Sequence, residues 1–282
     1  MLSLDMVKDS KDYSLESLIT KMKDISNEWH PAVAKGDQGA GRTLEKLLGV
    51  EENNISLPDY GSIEIKSKIA DKDDLSKGLI SLFTKEPLNS TPNASVPNLI
   101  KAMGWRHEKA GTKYSNSEQA FNATINMVTS TNRGFEIDVT EDKIYIKFNP
   151  KKVVSTDPDR SKGKYYKTLG DWLKDIETRT NPHYSDIMPL YYNKQDVENQ
   201  FVKKLNKTFF CLCRKKKVND ILHYQFFEGY ILFELDENKI SEMLKKGLYI
   251  DFGSRTKHNH GTKLRIVKEN LFKMFTKVEK VL

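Results

Sequence analysis

The stretch Leu57-Pro58-Asp59-Tyr60-Gly61-Ser62-Ile63-Glu64-Ile65-Lys66-Ser67-Lys68 decides how the rest of the chain is read. Leu57 to Gly61 has the composition of a strand end running into a turn. Ser62 to Lys68 then alternates apolar and charged side chains, the period of a strand with one buried face. Ile63 and Ile65 would share one face, while Glu64 and Lys66 emerge side by side on the other. Asp59 reaches the start of that strand through the turn. These three groups suit phosphodiester hydrolysis, because a hard divalent cation prefers carboxylate oxygens and water. Asp59 and Glu64 would be its ligands, and the backbone carbonyl of Ile65 could add a third oxygen. Lys66 would orient the attacking water or offset charge in the transition state, and would restrain repulsion between the carboxylates. With 30% charged residues in the chain, a bare D-x4-E-x-K also arises by chance. Its ordinary reading is then a solvated amphipathic edge strand.

Working outward, Arg42-Thr43-Leu44-Glu45-Lys46-Leu47-Leu48-Gly49 reads as a short helix closed by Gly49. Glu45 is its acidic exception among Leu44, Leu47 and Leu48, and fits either an exposed side of the helix or a position aimed at the metal. The glycine run at 36–41 lacks the G-x4-G-K-[ST] spacing of a nucleotide loop, but could bring backbone to phosphate near a helix start. Residues 13–30 carry Leu15, Leu18, Ile19, Met22 and Ile25 at helical spacing, with Pro31 as the stop.

The string from Gly39 through Glu45 to Gly49, followed by Leu57-Pro58-Asp59 and Glu64-Ile65-Lys66, resembles the MvaI/BcnI family of type II restriction endonucleases, relatives of the mismatch-repair nicking enzyme MutH. Order and spacing both match. The resemblance implies a PD-(D/E)xK active site of Asp59, Glu64 and Lys66, assisted by Glu45, with Mg2+ as cofactor. The strand Leu79 to Thr84 is similar to the family's next strand. The likeness returns at Tyr249-Ile250-Asp251-Phe252-Gly253-Ser254-Arg255, followed by His258-Asn259-His260-Gly261-Thr262 and Arg265. Family members read guanines from the major groove with this segment, which suits the fork of Arg against guanine O6 and N7. Arg255, His258, His260 and Arg265 are therefore the candidate DNA-recognition residues. The two histidines as zinc ligands, or a merely structural hairpin, are the competing readings.

Elsewhere the pattern mixes helices and strands. Phe135 to Val139 and Lys143 to Phe148 read as a hairpin, Trp172 to Ile176 and Val197 to Leu205 as helices, and Pro87 to Pro97 as a loop. Thr208 to Lys215, His223 to Phe233 and Tyr249 to Phe252 read as strands, with Lys239 to Lys246 a helix and Val267 to Val281 a closing amphipathic helix. The cluster Arg214-Lys215-Lys216-Lys217 is a solvated turn or a phosphate-contacting loop. The fold class is α/β, with α+β mixing. The resemblance implies a central mixed sheet flanked by helices and two lobes around a DNA cleft, residues 1–170 mainly catalytic and 171–282 mainly recognition.

Composition agrees without deciding. The 282 residues carry 46 Lys+Arg against 39 Asp+Glu, a net charge of +7. Only eight of the basic residues are Arg, so the excess is largely lysine and by itself a weak sign of nucleic acid. Cys211 and Cys213 are too few and too close for a disulfide scaffold; two small residues of a cytosolic protein is the ordinary reading, half a zinc site the other. No run of 18 apolar residues and no signal peptide is visible, so no membrane and a cytoplasmic, prokaryotic location are expected.

The expectation is a Mg2+-dependent type II restriction endonuclease acting on double-stranded DNA. The resemblance implies a monomer that cuts a short, G·C-rich, near-palindromic site, accompanied by a DNA methyltransferase. A MutH-like strand-nicking repair enzyme and a non-catalytic DNA-binding protein are the alternatives.

Overall fold

The computed structural model describes residues 12–36, 38–50, 57–70, 78–89, 95–160 and 165–282. In chain order the first half holds α1 (Leu15–Ile25), β1 (Trp29–Pro31), α2 (Gly39–Leu48), β2 (Glu64–Ile69), β3 (Leu79–Thr84), β4 (Leu88–Asn89), α3 (Val96–Met103), β5 (Trp105–Arg106), β6 (Gln119–Asn126), β7 (Arg133–Val139) and β8 (Lys143–Val153). Then follow α4 (Leu169–Thr178), a 3-10 turn, β9 (Leu190–Asn193), α5 (Lys194–Leu205), β10 (Lys207–Val218), β11 (Ile221–Leu235), α6 (Glu237–Lys246), β12 (Tyr249–Arg255), β13 (His258–Val267), α7 (Lys268–Lys273) and β14 (Phe275–Lys280). The expected mixed α/β fold is the one observed.

Two compact units share the chain. The first takes residues 1–75, 202–235 and 275–282, the second 76–201 and 236–274. The chain thus passes back and forth between them, and no single boundary near residue 170 separates them.

The first unit is built on a mixed sheet in the order β1-β11-β10-β2, with β14 also on β11. Strand β2 runs parallel to β10, with Glu64 opposite Thr208 and Ile65 opposite Phe209. Its core joins Leu18, Met22, Leu44, Leu48, Ile63, Ile65, Phe209, Cys211, Cys213 and Phe226, all buried. The expected alternation therefore holds: Ile63 and Ile65 face the core under α1 and α2. Both cysteines are free and buried, and burial pushes their thiols above the ordinary range, that of Cys213 to about 12.

In the second unit a five-stranded sheet runs β3-β13-β12-β6-β5 and a four-stranded one β4-β9-β8-β7. Trp172 anchors this core. It is fully buried beside Phe135 and Phe148, and its indole N–H donates to the Met103 carbonyl at 3.1 Å. Truncating such a side chain to Ala costs about 3–5 kcal/mol.

Several local readings change. Helix α1 stops at Ile25, capped by Ser26, and after a turn Trp29–Pro31 form β1 against β11. Leu57 to Gly61 is a turn without a strand; the Tyr60–Ile63 bridge closes it. Part of the Pro87 to Pro97 loop is ordered as β4 and the start of α3, where Pro97 sits in the first turn, a position that needs no N–H donor. The segment Val267 to Val281 is helical only to Lys273. Past Met274 the side chains alternate, and pairing to the edge of β11 fixes β14 as a strand. The loop 51–54 and residues 161–164 of the polar connector lie outside the described residues.

Candidate active site

The turn before β2 is tightly held. Tyr60 and Ile63 exchange backbone hydrogen bonds at 2.9 Å each way, with Gly61 at φ +61° between them. Tyr60 is buried, its ring edge-on to Tyr13 at 4.8 Å, and its hydroxyl donates to the Asp12 carbonyl. A side chain at Gly61 would come within 3.0 Å of the Tyr13 carbonyl oxygen. This anchor fixes the entry to β2. Asp59 Oδ2 accepts the backbone N–H of Ile65 at 3.1 Å, which locks the carboxylate to the start of the strand.

Glu64 is buried completely, although it lies on the face opposite the core isoleucines. Its Oε1 accepts from Lys66 Nζ and lies 3.5 Å from Lys204 Nζ. Its Oε2 is buried and has no hydrogen-bond partner among the described residues. Burial lifts the Glu64 carboxyl from 4.5 to about 7; Lys66 opposes the rise, the charge of Asp59 adds to it and Lys204 opposes it again. A buried carboxylate oxygen without a donor costs about 1–3 kcal/mol unless something electropositive meets it. The arrangement suits a cation: two acidic side chains at one strand end, one oxygen turned to no protein donor, and two ammonium groups on the other oxygen. Among the described residues no cluster of three or more His, Cys, Asp or Glu side chains is poised for a metal. Two carboxylates plus a backbone carbonyl match a small hard ion that keeps several waters better than a fully protein-caged one.

Glu45 rides on α2, which packs over the core face of β2. A Cβ at Gly41 would stand 3.8 Å from Glu45 Oε1 and 3.8 Å from Ser67 Oγ, so both side chains border the space beside this helix glycine.

The recognition candidates lie in the second unit, on the β12–β13 hairpin. Arg255 pairs with buried Glu118 at 3.0 Å, its guanidinium 4.3 Å from the centre of the Tyr114 ring, and stands opposite His258 in the ladder. His258 is exposed. The side chain of His260 lies outside the described residues, though its backbone belongs to β13. Arg265 donates to Asp251 Oδ2 at 3.1 Å and to the Leu79 carbonyl at 3.3 Å. Asp251 is held from its other oxygen by Thr124 at 2.6 Å. Both arginines are thus fixed by carboxylates, a pose that presets a guanidinium for a ligand at low entropic cost.

The model of the MvaI/BcnI restriction endonuclease family matches residues 19–275, a span that includes both β2 and the β12–β13 hairpin. The chain belongs to the MvaI/BcnI restriction endonuclease family. It is accordingly a restriction endonuclease, a deoxyribonuclease by class. Among solved structures, the restriction endonuclease MvaI in complex with its cognate DNA substrate superimposes with a TM-score of 0.68 at 21% identity, covering 95% of this chain and 98% of that one. At that identity the likeness concerns the fold. MvaI in the absence of DNA is also similar, at 20% identity and a TM-score of 0.45 over the full length of both chains. No curated protein matches. Among the described residues, no helix is long and apolar enough to cross a membrane.

For a member of this family, the structure brings Asp59, Glu64 and Lys66 together. It also adds Lys204, which sequence reasoning missed. Lys204 is one of two lysines in the last turn of α5, 140 positions beyond Glu64, and only the parallel β2–β10 register joins them. Glu118 and Asp251, the carboxylates behind Arg255 and Arg265, were equally unmarked. Asp251 at least falls within the Tyr249 to Arg255 stretch.

Proposed function

We propose that this chain hydrolyses duplex DNA at a short, G·C-rich, near-palindromic site, using Mg2+ held by Asp59, Glu64 and the Ile65 carbonyl. The observation that carries the reading is the buried Glu64 carboxylate, with Oε1 on two lysines and Oε2 without a partner among the described residues. A bound divalent cation supplies Lewis acidity and lowers the pKa of a water molecule. The chain's own groups do the rest. Asp59, pinned by the Ile65 N–H, keeps its second oxygen for the ligand role. Lys66 positions the nucleophilic water and offsets charge that develops on the phosphate oxygens. Lys204 helps keep Glu64 ionised. Glu45 assists from α2. The first unit is the catalytic lobe in this reading, and the second, through Arg255, His258, His260 and Arg265, reads the bases.

The chain works as a cytoplasmic monomer of a prokaryotic restriction-modification system, beside a methyltransferase that protects the host site. The test is digestion of supercoiled plasmid by the purified chain with Mg2+. Linear fragments with constant ends support the reading. Nicking that requires a second protein supports a MutH-like repair enzyme instead, and retention of DNA without cleavage supports a plain binder. Glu64→Ala should abolish cleavage; unchanged cleavage by that variant sinks the site assignment.

A further inference from the structure

The basic cluster at 214–217 is a strand and not a turn. Strand β10 continues past the end of β2, and its ribbon with β11 closes through Asn219 and Asp220, both at positive φ as a two-residue I′ turn requires. Residues 214–220 are exposed.

The ladder fixes which face each cation occupies. Glu64 lies opposite Thr208, Lys66 opposite Phe210 and Lys68 opposite Leu212. Alternation along β10 then puts Arg214 and Lys216 on the face of Glu64 and Lys66, whereas Cys211 and Cys213 turn to the core. Each of the two cations lies on an aromatic ring: Arg214 on Phe227 at 4.3 Å and Lys216 on Trp29 at 4.1 Å. A stacked guanidinium keeps its in-plane N–H groups for a phosphate, and an aromatic platform limits the freedom an approaching ligand must remove.

We propose that Lys68, Arg214 and Lys216 form a strip that holds the phosphate backbone of duplex DNA on the sheet face that carries Glu64 and Lys66. The proposal rests on the reading of the chain as a DNA endonuclease. Arg214 is six residues and Lys216 eight residues beyond the partner of Glu64, about 20 and 26 Å at the strand rise. Between them on that face Thr208, Phe210 and Leu212 are fully buried, so the exposed part of the strip on β10 begins at Arg214. The strip therefore grips DNA flanking a short site and adds affinity without choosing sequence.

The experiment is titration of a labelled 40-base-pair random duplex in metal-free buffer from 50 to 200 mM KCl, with wild type and the double variant Arg214→Gln/Lys216→Gln. Both positions are exposed, and an unchanged melting curve confirms the fold. Losing two phosphate contacts should make the slope of log affinity against log salt shallower by about 1.8 and, with equal affinities at 1 M, weaken binding about 60-fold at 0.1 M salt. Plasmid ends should be unchanged. Equal slopes and affinities for the two proteins, with wild type still cutting plasmid, overturn the strip and leave the endonuclease reading intact. Wild type that neither binds nor cuts duplex DNA defeats the reading itself and the strip with it.

Discussion

Lys204 Nζ stands 3.5 Å from Glu64 Oε1, the same oxygen that accepts from Lys66. Two lysines on one carboxylate oxygen have separable duties, because Lys66 lies on the strand beside the scissile phosphate's expected position and Lys204 comes from a helix end. Removing Lys204 leaves Glu64 harder to ionise. Lys204→Ala should move the pH profile of cleavage at subsaturating Mg2+ to higher pH, with recovery in alkali. Each pH unit by which the profile moves should cut the rate at pH 7 about tenfold. Lys66→Ala should cost about 10²–10³ in rate at every pH. An unmoved profile for the Lys204 variant removes it from the site.

Glu64 also makes stability depend on pH. Its carboxyl titrates near 7 in the fold against an ordinary 4.5, so between those values the folded chain keeps a proton that the unfolded chain has released. Stability contributed by the protonated form is complete below pH 4.5 and lost as pH rises through 7, by up to about 3 kcal/mol. Glu64→Gln mimics the protonated group and abolishes this dependence. Urea unfolding in EDTA at pH 5 and pH 8 measures it: the variant should gain on wild type between the two. Mg2+ should stabilise wild type at pH 8 and leave the variant unmoved.

Arg265 holds Asp251, so two effects of Arg265→Ala must be separated. Stranding Asp251 should lower stability by about 1–3 kcal/mol. Losing a base contact should relax discrimination at one position by about 1–3 kcal/mol. Sequencing the ends of digested DNA reads the second without the first. A destabilised variant that still cuts the same ends makes Arg265 a structural ion pair.

The two thiols should be silent. Cys211 and Cys213 are fully buried and held protonated. A thiol reagent at pH 8 should label neither in the native protein and both in urea, at the rate of unfolding. Rapid native labelling would show that β10 opens.

Strand β2 was legible because its period stands out within ten residues: Ile63 and Ile65 to the core, Glu64 and Lys66 away. Cys211 and Cys213 read equally well, since a strand interior sends i and i+2 to one side. What sequence could not supply was partnership across the chain. Lys204 meets Glu64, Glu118 meets Arg255 and Phe275 to Lys280 becomes a strand because β11 offers an edge, and none of these has a local signature. The helical reading after Met274 followed propensity where pairing decided. The basic stretch at 214–217 looked like a turn because four successive cations resist burial; past the end of β2 they stand exposed on β10, now the edge strand, and never meet that cost.

Strand β2 finds its only ladder partner among the described residues in β10, about 140 residues away in sequence, and the chain changes unit at 75, 201, 235 and 274. One of these crossings falls inside α5, the helix that ends with Lys204. A gene cut once, near its middle, would give one fragment with the catalytic strand lacking its neighbour and another with the neighbour lacking the strand. Recombination between relatives at a single junction therefore splits both units at once. Variation confined to one unit is accessible by substitutions within it, and not by exchange of halves.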